Sequence, residues 1–292
     1  MQYLENDVLR VGINEFGAEL TSIVKKSDGT EYVWQGDPAF WKRHAPVLFP
    51  IVGRLKDKEY TVGGTAYSIT QHGFGRDLAF TAHPVSDTCV EFVLSANDYT
   101  KQMYPYDFTL TIRYTLNGAT LRKEHITRNR SADTLYYEVG GHDGYNILFE
   151  DEALGDWYVE FEGADALSVI DVDETVMLSQ SHHTVPLEDG RLYLTRETFA
   201  HDALMLDGLP VRRCTLGCTK HDRRVTMDFS DFPYFAVWSP YQPETDVPFV
   251  CLEPWSTLPD GSYLGKELEQ KVGVRTVAPG ASETLTFSIT IV

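Results

Sequence analysis

The feature that most constrains the fold of this chain is a regular alternation of apolar and polar residues. Between Phe108 and Leu116 every second residue is apolar, and Asn117-Gly118 follows before another β-rich run begins at Ala119. Asn-Gly between two alternating runs is a strong hairpin signal, because both residues tolerate the positive φ of a type I′ turn. The pattern predicts two antiparallel strands joined by a tight turn.

The same period-two alternation recurs along the whole chain, and turn signals such as Asp28-Gly29 and Gly63-Gly64 separate the runs. Helical periodicity is confined to Asp98–Tyr104. Many short strands without interleaved helices predict an all-β sandwich or barrel, and no linker divides residues 1–292, so one domain is expected. The other predicted strands are Val8–Ile13, Leu20–Val24, Val90–Leu94, Trp157–Phe161, Val225–Phe229 and a C-terminal run with Leu285, Phe287, Ile289 and Ile291.

The charge balance restricts the partners. The chain has 43 acidic and 25 basic residues, a net charge of −18. Such a surface repels phosphate backbones and anionic lipids, so neither nucleic acid nor a membrane is an expected partner. The N-terminus lacks the pattern of a secretory signal, no segment is long and apolar enough to span a bilayer, and the four cysteines are too few for a disulfide framework. We therefore expect a soluble cytoplasmic protein.

Cys214, Cys218 and His221 are close enough in sequence to suggest metal ligands. However, no second Cys/His pair stands at zinc-finger spacing, and the surrounding residues are typical of strand and turn. We interpret both cysteines as structural thiols. Because no glycine-rich nucleotide-binding loop is present either, no metal or other cofactor is predicted.

Glu253 is the first candidate for chemistry, because it interrupts the apolar stretch "PFVCLEPWSTLPDG". An apolar setting disfavours the charged carboxylate and raises its pKa, which suits a general base near neutral pH. The alternative is a buried glutamate paired with a structural arginine. Trp238 and Trp255 either offer flat faces to a sugar ring or belong to the core.

His142 is the second candidate. It lies in "EVGGHDGYNILF" among Gly140, Gly141 and Gly144, which we interpret as removing bulk around the ring and leaving it accessible. An accessible histidine can act as an acid or a base near neutral pH. The alternative is a structural histidine with its hydrogen bonds satisfied.

Two further stretches contain candidate binding residues. Arg54 follows the apolar run of "VLFPIVGRLKDKEY", where its guanidinium can donate several fixed hydrogen bonds to hydroxyls or to a phosphate. His72 and Arg76 flank two glycines in "QHGFGRD". The alternatives are a surface ion pair for Arg54 and a solvated glycine turn for the second stretch.

These stretches together resemble the aldose 1-epimerase (galactose mutarotase) superfamily, and most closely its bacterial branch associated with lactose operons. The resemblance runs from "GAELTSIVKKSDGTEYVWQGDPAFWKRHAPVLFPIVGRL" through "QHGFGRD" and "GGHDGYN" to "CLEPWS". It implies a galactose mutarotase-like β-supersandwich of antiparallel sheets, with a sugar bound on the open concave face of one sheet.

The resemblance also implies roles for single residues. Glu253 would be the general base that removes the proton of the C1 hydroxyl, and His142 the general acid that protonates the ring oxygen. Arg54 and His72 match positions that bind sugar oxygens, and Asp202 in "FAHDALML" resembles the substrate-binding aspartate of the family. The implied activity is interconversion of hexose anomers, with a small-molecule sugar as the partner.

Three alternatives stay open. Arg76 stands near a loop where relatives acting on hexose 6-phosphates hold the phosphate, so the substrate is either a free or a phosphorylated hexose. The fold is also compatible with a non-catalytic carbohydrate-binding or sensing protein. A lyase or hydrolase on a related sandwich would need a second acid or a tyrosine in the cleft, for which Tyr145 is a candidate. Asp143-Gly144 after the histidine departs from the bulkier residues expected there.

Overall fold

The computed structural model describes residues 1–175 and 177–292. Short strands follow one another along this part of the chain, and the helices are single turns. The strands are β1 (Gln2–Glu5), β2 (Leu9–Asn14), β3 (Glu19–Lys25), β4 (Val47–Leu48), β5 (Glu59–Val62), β6 (Thr65–Ser68), β7 (Thr81–Ser86), β8 (Cys89–Ser95), β9 (Phe108–Asn117), β10 (Thr120–Asn129), β11 (Leu135–Tyr137), β12 (Gly140–Gly141), β13 (Asp143–Asn146), β14 (Trp157–Glu160), β15 (Ala166–Val172), β16 (Leu178–Pro186), β17 (Arg191–Tyr193), β18 (Leu204–Asp207), β19 (Arg213–Cys218), β20 (Arg224–Asp228), β21 (Tyr234–Trp238), β22 (Phe249–Trp255), β23 (Arg275–Val277) and β24 (Ser282–Ile291). The helix α1 spans Asp98–Lys101, and short 3-10 segments lie at Lys56–Lys58, Gly75–Asp77, Leu154–Asp156, Arg196–Phe199 and Leu268–Gln270.

Two large antiparallel sheets organise these strands, which confirms the all-β prediction. The first has nine strands in the order β17-β14-β19-β20-β24-β10-β9-β8-β7. The second follows the order β16-β15-β18-β21-β22-β12-β4, with β13 also pairing with β22. The N-terminal strands β1, β2 and β3 form a separate small sheet, and two further pairs are β11-β23 and β5-β6. Strands distant in sequence therefore become neighbours around β22.

The predicted hairpin exists, but its turn is displaced by one residue. Asn117 pairs with Thr120 at the end of the β9–β10 ladder, so the loop consists of Gly118 and Ala119. Gly118 has φ of +56°, and Ala119 is not among the positive-φ residues. A positive φ at only the first loop position is the property of a type II′ turn, in contrast to the predicted type I′ turn.

The predicted helical segment forms only α1, and the chain leaves the helix after Lys101. Asn97 caps its N-terminus, because the side-chain oxygen accepts hydrogen bonds from the backbone N–H groups of Tyr99 and Thr100. Beyond this turn the described chain continues to β9 without further helix or strand. No helix in the described ranges is long and apolar enough to cross a membrane.

The core lies where the inner faces of the two large sheets meet. Leu110 and Ile112 of β9 belong to the same buried cluster as Val250 and Leu252 of β22. The opposite face of β22 is also covered, because Phe249 and Cys251 lie in a second buried cluster with Trp34. A strand buried on both faces has apolar residues at consecutive positions, which explains why the residues around position 253 are apolar without alternation.

Candidate active site

Glu253 occupies the central strand of the eight-stranded sheet. All seven residues of β22 are buried, and Glu253 pairs with Ala236 of β21. Because side chains alternate along a strand, Glu253 points to the same face as Cys251 and Trp255, away from the core between the two sheets. The side chain is 1% exposed. No arginine is paired with it in the described chain, so the structural alternative from the sequence is wrong.

His142 reaches the same face from the break between β12 and β13. Both short strands pair with β22, since Gly140 lies opposite Trp255 and Asp143 opposite Leu252. This places Nε2 of His142 3.3 Å from Oε2 of Glu253. The ring nitrogen Nδ1 is buried without a hydrogen-bond partner among the described residues. The alternative of a satisfied structural histidine therefore does not apply.

The glycines around this histidine serve a purpose other than the predicted one. A Cβ on Gly140 would lie 2.9 Å from the Pro254 carbonyl oxygen, and one on Gly141 would lie 2.9 Å from the Phe287 ring. They allow close packing of β12 against β22 and against the facing sheet. The ring of His142 stays largely covered, with 8% of the residue exposed.

Trp41 is a cavity residue that the sequence interpretation did not single out. Its ring stacks on His142 with the centroids 4.9 Å apart and an interplanar angle of 26°. Trp238 meets the same histidine edge-on, with centroids 5.5 Å apart. The two tryptophans limit the positions that the His142 ring can take. Sequence offered no signal for Trp41, because aromatic residues are frequent throughout this chain.

His72 is held rigidly by its own loop and by a neighbouring one. Its backbone has φ of +64°, and its Nδ1 accepts a hydrogen bond from the Gly53 N–H at 3.0 Å. The proton of the neutral ring therefore resides on Nε2, which lies 3.2 Å from Nε2 of Gln71. The same neighbouring loop is anchored by Glu138, whose Oε2 accepts from the Val52 N–H at 2.8 Å. His72 is 5% exposed, so the predicted alternative of a solvated turn is wrong.

The arginines and Asp202 complete the boundary of the site. Arg54 is exposed, and its Nε donates to Oε1 of Gln71 at 3.4 Å, while no carboxylate in the described chain pairs with it. Arg76 donates to the Gln71 carbonyl at 2.7 Å, and burial lowers its pKa to about 10. Asp202, with φ of +79°, follows the Arg196–Phe199 turn. The surface ion pair considered for Arg54 is therefore not formed.

All six candidate residues from the sequence line one cavity of about 280 Å³. Trp238 and Trp255 line it as well, and Trp255 also packs in a buried cluster with Leu48, so for that residue both roles apply. Tyr145 belongs to the core between the sheets and is absent from the cavity lining, so the lyase or hydrolase alternative loses its tyrosine. The lining residues are Trp41, Gly53, Arg54, Gln71, His72, Arg76, His142, Asp202, Ala203, Met205, Trp238, Glu253, Trp255 and Pro259.

Burial acts on the protonation of both central groups. It raises the pKa of Glu253 well above the usual range, and the Asp202 carboxylate adds to this effect. It lowers the pKa of His142 to about 3, with a further contribution from the Arg76 guanidinium. The favoured state is a carboxylic acid beside a neutral imidazole. Moving one proton from Glu253 to His142, whose Nε2 lies 3.3 Å from Oε2, would convert this neutral pair into a carboxylate and an imidazolium.

The cysteines that had suggested a metal site are separate from this cavity. Cys214 and Cys218 are both buried in β19, within the core cluster. Cys218 lies near Glu152 and His221, with one ligand atom of each within 4.8 Å of the others, and Cys214 is not part of that group. All four cysteines are free thiols.

Comparisons with known proteins agree with this architecture. The family model for aldose 1-epimerase matches residues 2–270. Protein LacX (chromosomal) of Lactococcus lactis subsp. lactis is 36% identical over 301 residues, which covers 99% of this chain and 98% of that protein.

Two solved structures are similar over the whole chain. A galactose mutarotase related enzyme from Lactobacillus acidophilus has a TM-score of 0.94 and 32% identity, covering 100% of this chain and 97% of the other. A galactose mutarotase-like protein from Lactobacillus casei has a TM-score of 0.92 and 30% identity, with full coverage of both chains (100%). The fold is thus galactose mutarotase-like, and the chain belongs to the aldose 1-epimerase family.

Proposed function

We propose that the protein is a cofactor-independent aldose 1-epimerase that interconverts the α and β anomers of a hexose. The observation that carries this proposal is the 3.3 Å contact between His142 Nε2 and Glu253 Oε2 at the cavity. The ring oxygen and the C1 hydroxyl of a hemiacetal are bonded to the same carbon, so the acid and base that open the ring must stand side by side. The cavity, at about 280 Å³, lies below the range of roughly 300–1,000 Å³ typical of drug-sized ligands and suits a single sugar ring.

The proposed reaction starts from the ionised form of the pair. The Glu253 carboxylate takes the proton of the C1 hydroxyl, and a C1=O double bond forms as the bond from C1 to the ring oxygen breaks. The imidazolium of His142 gives its proton to the departing ring oxygen. Rotation about the C1–C2 bond and closure with the roles reversed yield the other anomer. Each positioned proton transfer contributes about 10²–10⁴-fold to the rate.

Other cavity residues support binding of a polyhydroxylated ring. His72 has its proton on Nε2, because Nδ1 already accepts from the Gly53 N–H, and a sugar oxygen that accepts from Nε2–H would share or replace the 3.2 Å contact with Gln71. Arg54 has guanidinium hydrogens without carboxylate partners among the described residues, and Asp202 provides acceptors. The Trp41, Trp238 and Trp255 rings offer flat faces to the C–H groups of a sugar.

A hexose 6-phosphate is the second candidate substrate, favoured by the charge next to the cavity. A groove of about 810 Å³ shares Arg54 and Gln71 with the cavity and adds Lys56 and Lys58, together with the acidic Asp57 and Asp173. With Arg76, four basic side chains stand beside two acidic ones, which leaves a locally cationic region on a chain whose net charge is −18. Such a region can attract a phosphate attached to the sugar.

The test is polarimetry on freshly dissolved α-D-glucose, α-D-galactose and their 6-phosphates, with wild type and Glu253→Gln. We expect wild type to accelerate mutarotation of at least one sugar, and the variant to lose about 10²–10⁴-fold in rate. Glu124→Gln is the matched control, because Glu124 is a buried glutamate on β10 of the other large sheet and is paired with Arg122 at 3.2 Å. It should keep the wild-type rate.

Each outcome discriminates between the candidates. Acceleration restricted to the 6-phosphates selects the second substrate. Sugar binding by calorimetry without any acceleration would replace the epimerase with a carbohydrate-binding or sensing protein. If Glu253→Gln changed neither the rate nor the sugar affinity, both functions would lose their central residue.

A further inference from the structure

Cys251 is a third group with a ligand atom beside the central pair. It precedes Glu253 by two residues on β22 and shares its strand face, and it is fully buried at 0% exposure. Its Sγ, one carboxylate oxygen of Glu253 and one ring nitrogen of His142 all lie within 4.8 Å of one another. The mechanism proposed above uses the carboxylate and the imidazole but has no use for the thiol.

We propose that Cys251, Glu253 and His142 form a binding site for a thiophilic divalent transition-metal ion, with Zn²⁺ as the best match, and that the bound ion blocks the cavity. Zinc is commonly bound by a mixture of thiolate, imidazole and carboxylate ligands, at bond lengths of about 2.0–2.3 Å. In a tetrahedral site such bonds place donor atoms roughly 3.3–3.8 Å apart. The 3.3 Å between Nε2 and Oε2 falls in this range.

The donor atoms are available for coordination. Oε2 of Glu253 and Nδ1 of His142 have no hydrogen-bond partner in the part of the chain that the structure describes. Because no hydrogen bond from the described residues fixes the tautomer of His142 at Nδ1, a neutral imidazole can carry its proton there and direct the Nε2 lone pair toward the ion. Binding releases the protons of the thiol and of the carboxylic acid to solvent and requires no oxidant. Three protein ligands leave a fourth position, on the side where His142 and Glu253 line the cavity.

A second cluster provides an internal comparison. Glu152, Cys218 and His221 have the same donor types within 4.8 Å, and His221 Nε2 lies 3.1 Å from Glu152 Oε1. However, Nδ1 of His221 accepts a hydrogen bond from the Arg223 N–H at 3.2 Å. The proton of the neutral ring therefore lies on Nε2, which leaves no lone pair toward the cluster. We expect no metal binding there.

Metal binding can be measured without any enzymatic assay. Co²⁺ is titrated into the full chain, and the near-ultraviolet absorption of a thiolate-to-cobalt charge transfer reports a Co–S bond. Calorimetry with Zn²⁺ gives the affinity. We expect wild type and Cys218→Ala to show the band with a single equivalent of Co²⁺. Cys251→Ser and Cys251→Ala should lack it and bind Zn²⁺ roughly tenfold or more weakly, because they lose a ligand. Circular dichroism verifies that each variant is folded.

A band in either Cys251 variant, its loss in Cys218→Ala, or its absence from wild type would overturn the proposal. The blocking effect rests on the proposed function and is tested separately by polarimetry. Zn²⁺ should abolish the wild-type acceleration, a chelator should restore it, and each Cys251 variant should need roughly tenfold or more Zn²⁺ to lose half of its own rate. If no sugar is turned over, the cobalt titration still decides the metal site. If turnover exists but Zn²⁺ leaves it unchanged, the blocking effect is refuted.

Discussion

Replacing Glu138 with glutamine should make the stability of the protein less dependent on pH between about 5 and 8. Glu138 is 2% exposed and lies on the chain just before β12, where its Oε2 accepts from the Val52 N–H at 2.8 Å. Burial raises its pKa to about 8, from an ordinary value of 4.5. The Val52 N–H and Lys271 act in the opposite direction, and neither is strong enough to cancel the effect of burial.

The sign follows from proton binding. Between pH 4.5 and about 8 the unfolded chain has released the Glu138 proton, whereas the folded protein still holds it. The folded state therefore binds more protons, and the free energy of unfolding falls as the pH rises. The slope is about 1.4 kcal/mol for each pH step of one, or about 4 kcal/mol from pH 5 to pH 8 as an upper limit. This stability is fully present below the unfolded pKa and is lost as the pH passes through the folded pKa.

Glutamine is the informative substitution, because its side-chain oxygen can still accept from the Val52 N–H while the titration disappears. Urea denaturation of wild type and Glu138→Gln at pH 5, 6, 7 and 8 gives the difference in the free energy of unfolding. We expect the free energy of unfolding of the variant, relative to that of wild type, to increase steadily as the pH rises. A constant difference between wild type and Glu138→Gln, or one of opposite sign, would refute the reasoning.

Two further pairs of substitutions each compare a buried position with an exposed one. Lys123→Met leaves Asp143 buried without its 3.1 Å partner, and both side chains are at most 1% exposed, so the free energy of unfolding should fall by about 3–5 kcal/mol in urea denaturation. Lys101→Met removes an ion pair with Asp107 in which the lysine side chain is 43% exposed, so the free energy of unfolding should fall by at most about 1 kcal/mol. Equal losses for Lys123→Met and Lys101→Met would contradict this argument. Gly73→Ala would place a Cβ 2.2 Å from a backbone carbonyl oxygen at φ of +69°, whereas Gly29→Ala at φ of +75° meets nothing within 4 Å. Thermal unfolding should therefore show a much larger loss for Gly73→Ala than the roughly 1 kcal/mol expected for a left-handed alanine, and similar losses would refute the predicted clash.

Strands such as β9 could be predicted from the sequence, because the alternation of apolar and polar residues that produces them lies within a short stretch of the chain. Alternation from Phe108 to Leu116 predicts one buried and one open face, and β9 has that pattern of burial. The type of the turn between β9 and β10 could not be predicted from such a local pattern. Asn117 joins the ladder opposite Thr120, since the register of the long β9–β10 pair moves the loop one residue onward. Cooperative pairing along the strands outweighs the preference of a dipeptide.

The apolar stretch around Glu253 shows a second limit of local reasoning. A continuous buried strand cannot be distinguished from other apolar segments by periodicity, because both of its faces are covered. The sequence therefore identified the carboxylate as unusual but could not identify its neighbours. Cys251 belongs to the same strand face, yet it looks like any structural thiol until its distance from His142 is known.

The sequence by itself determined the all-β class and the residue types suited to acid–base chemistry, because alternation, turn residues and motifs act over short stretches. It also predicted the positions of eight of the strands, namely β2, β3, β8, β9, β10, β14, β20 and β24. The assignment of residues 1–292 to one domain stays a prediction. Only the tertiary structure decided that β12 and β13 pair with β22 and so bring His142 to Glu253, that Trp41 stacks on the histidine, and that Tyr145 faces the core. The physical reason is that sheet order and packing are set by contacts between strands far apart in the chain. Burial, which sets the protonation of both central groups, is a property of those contacts.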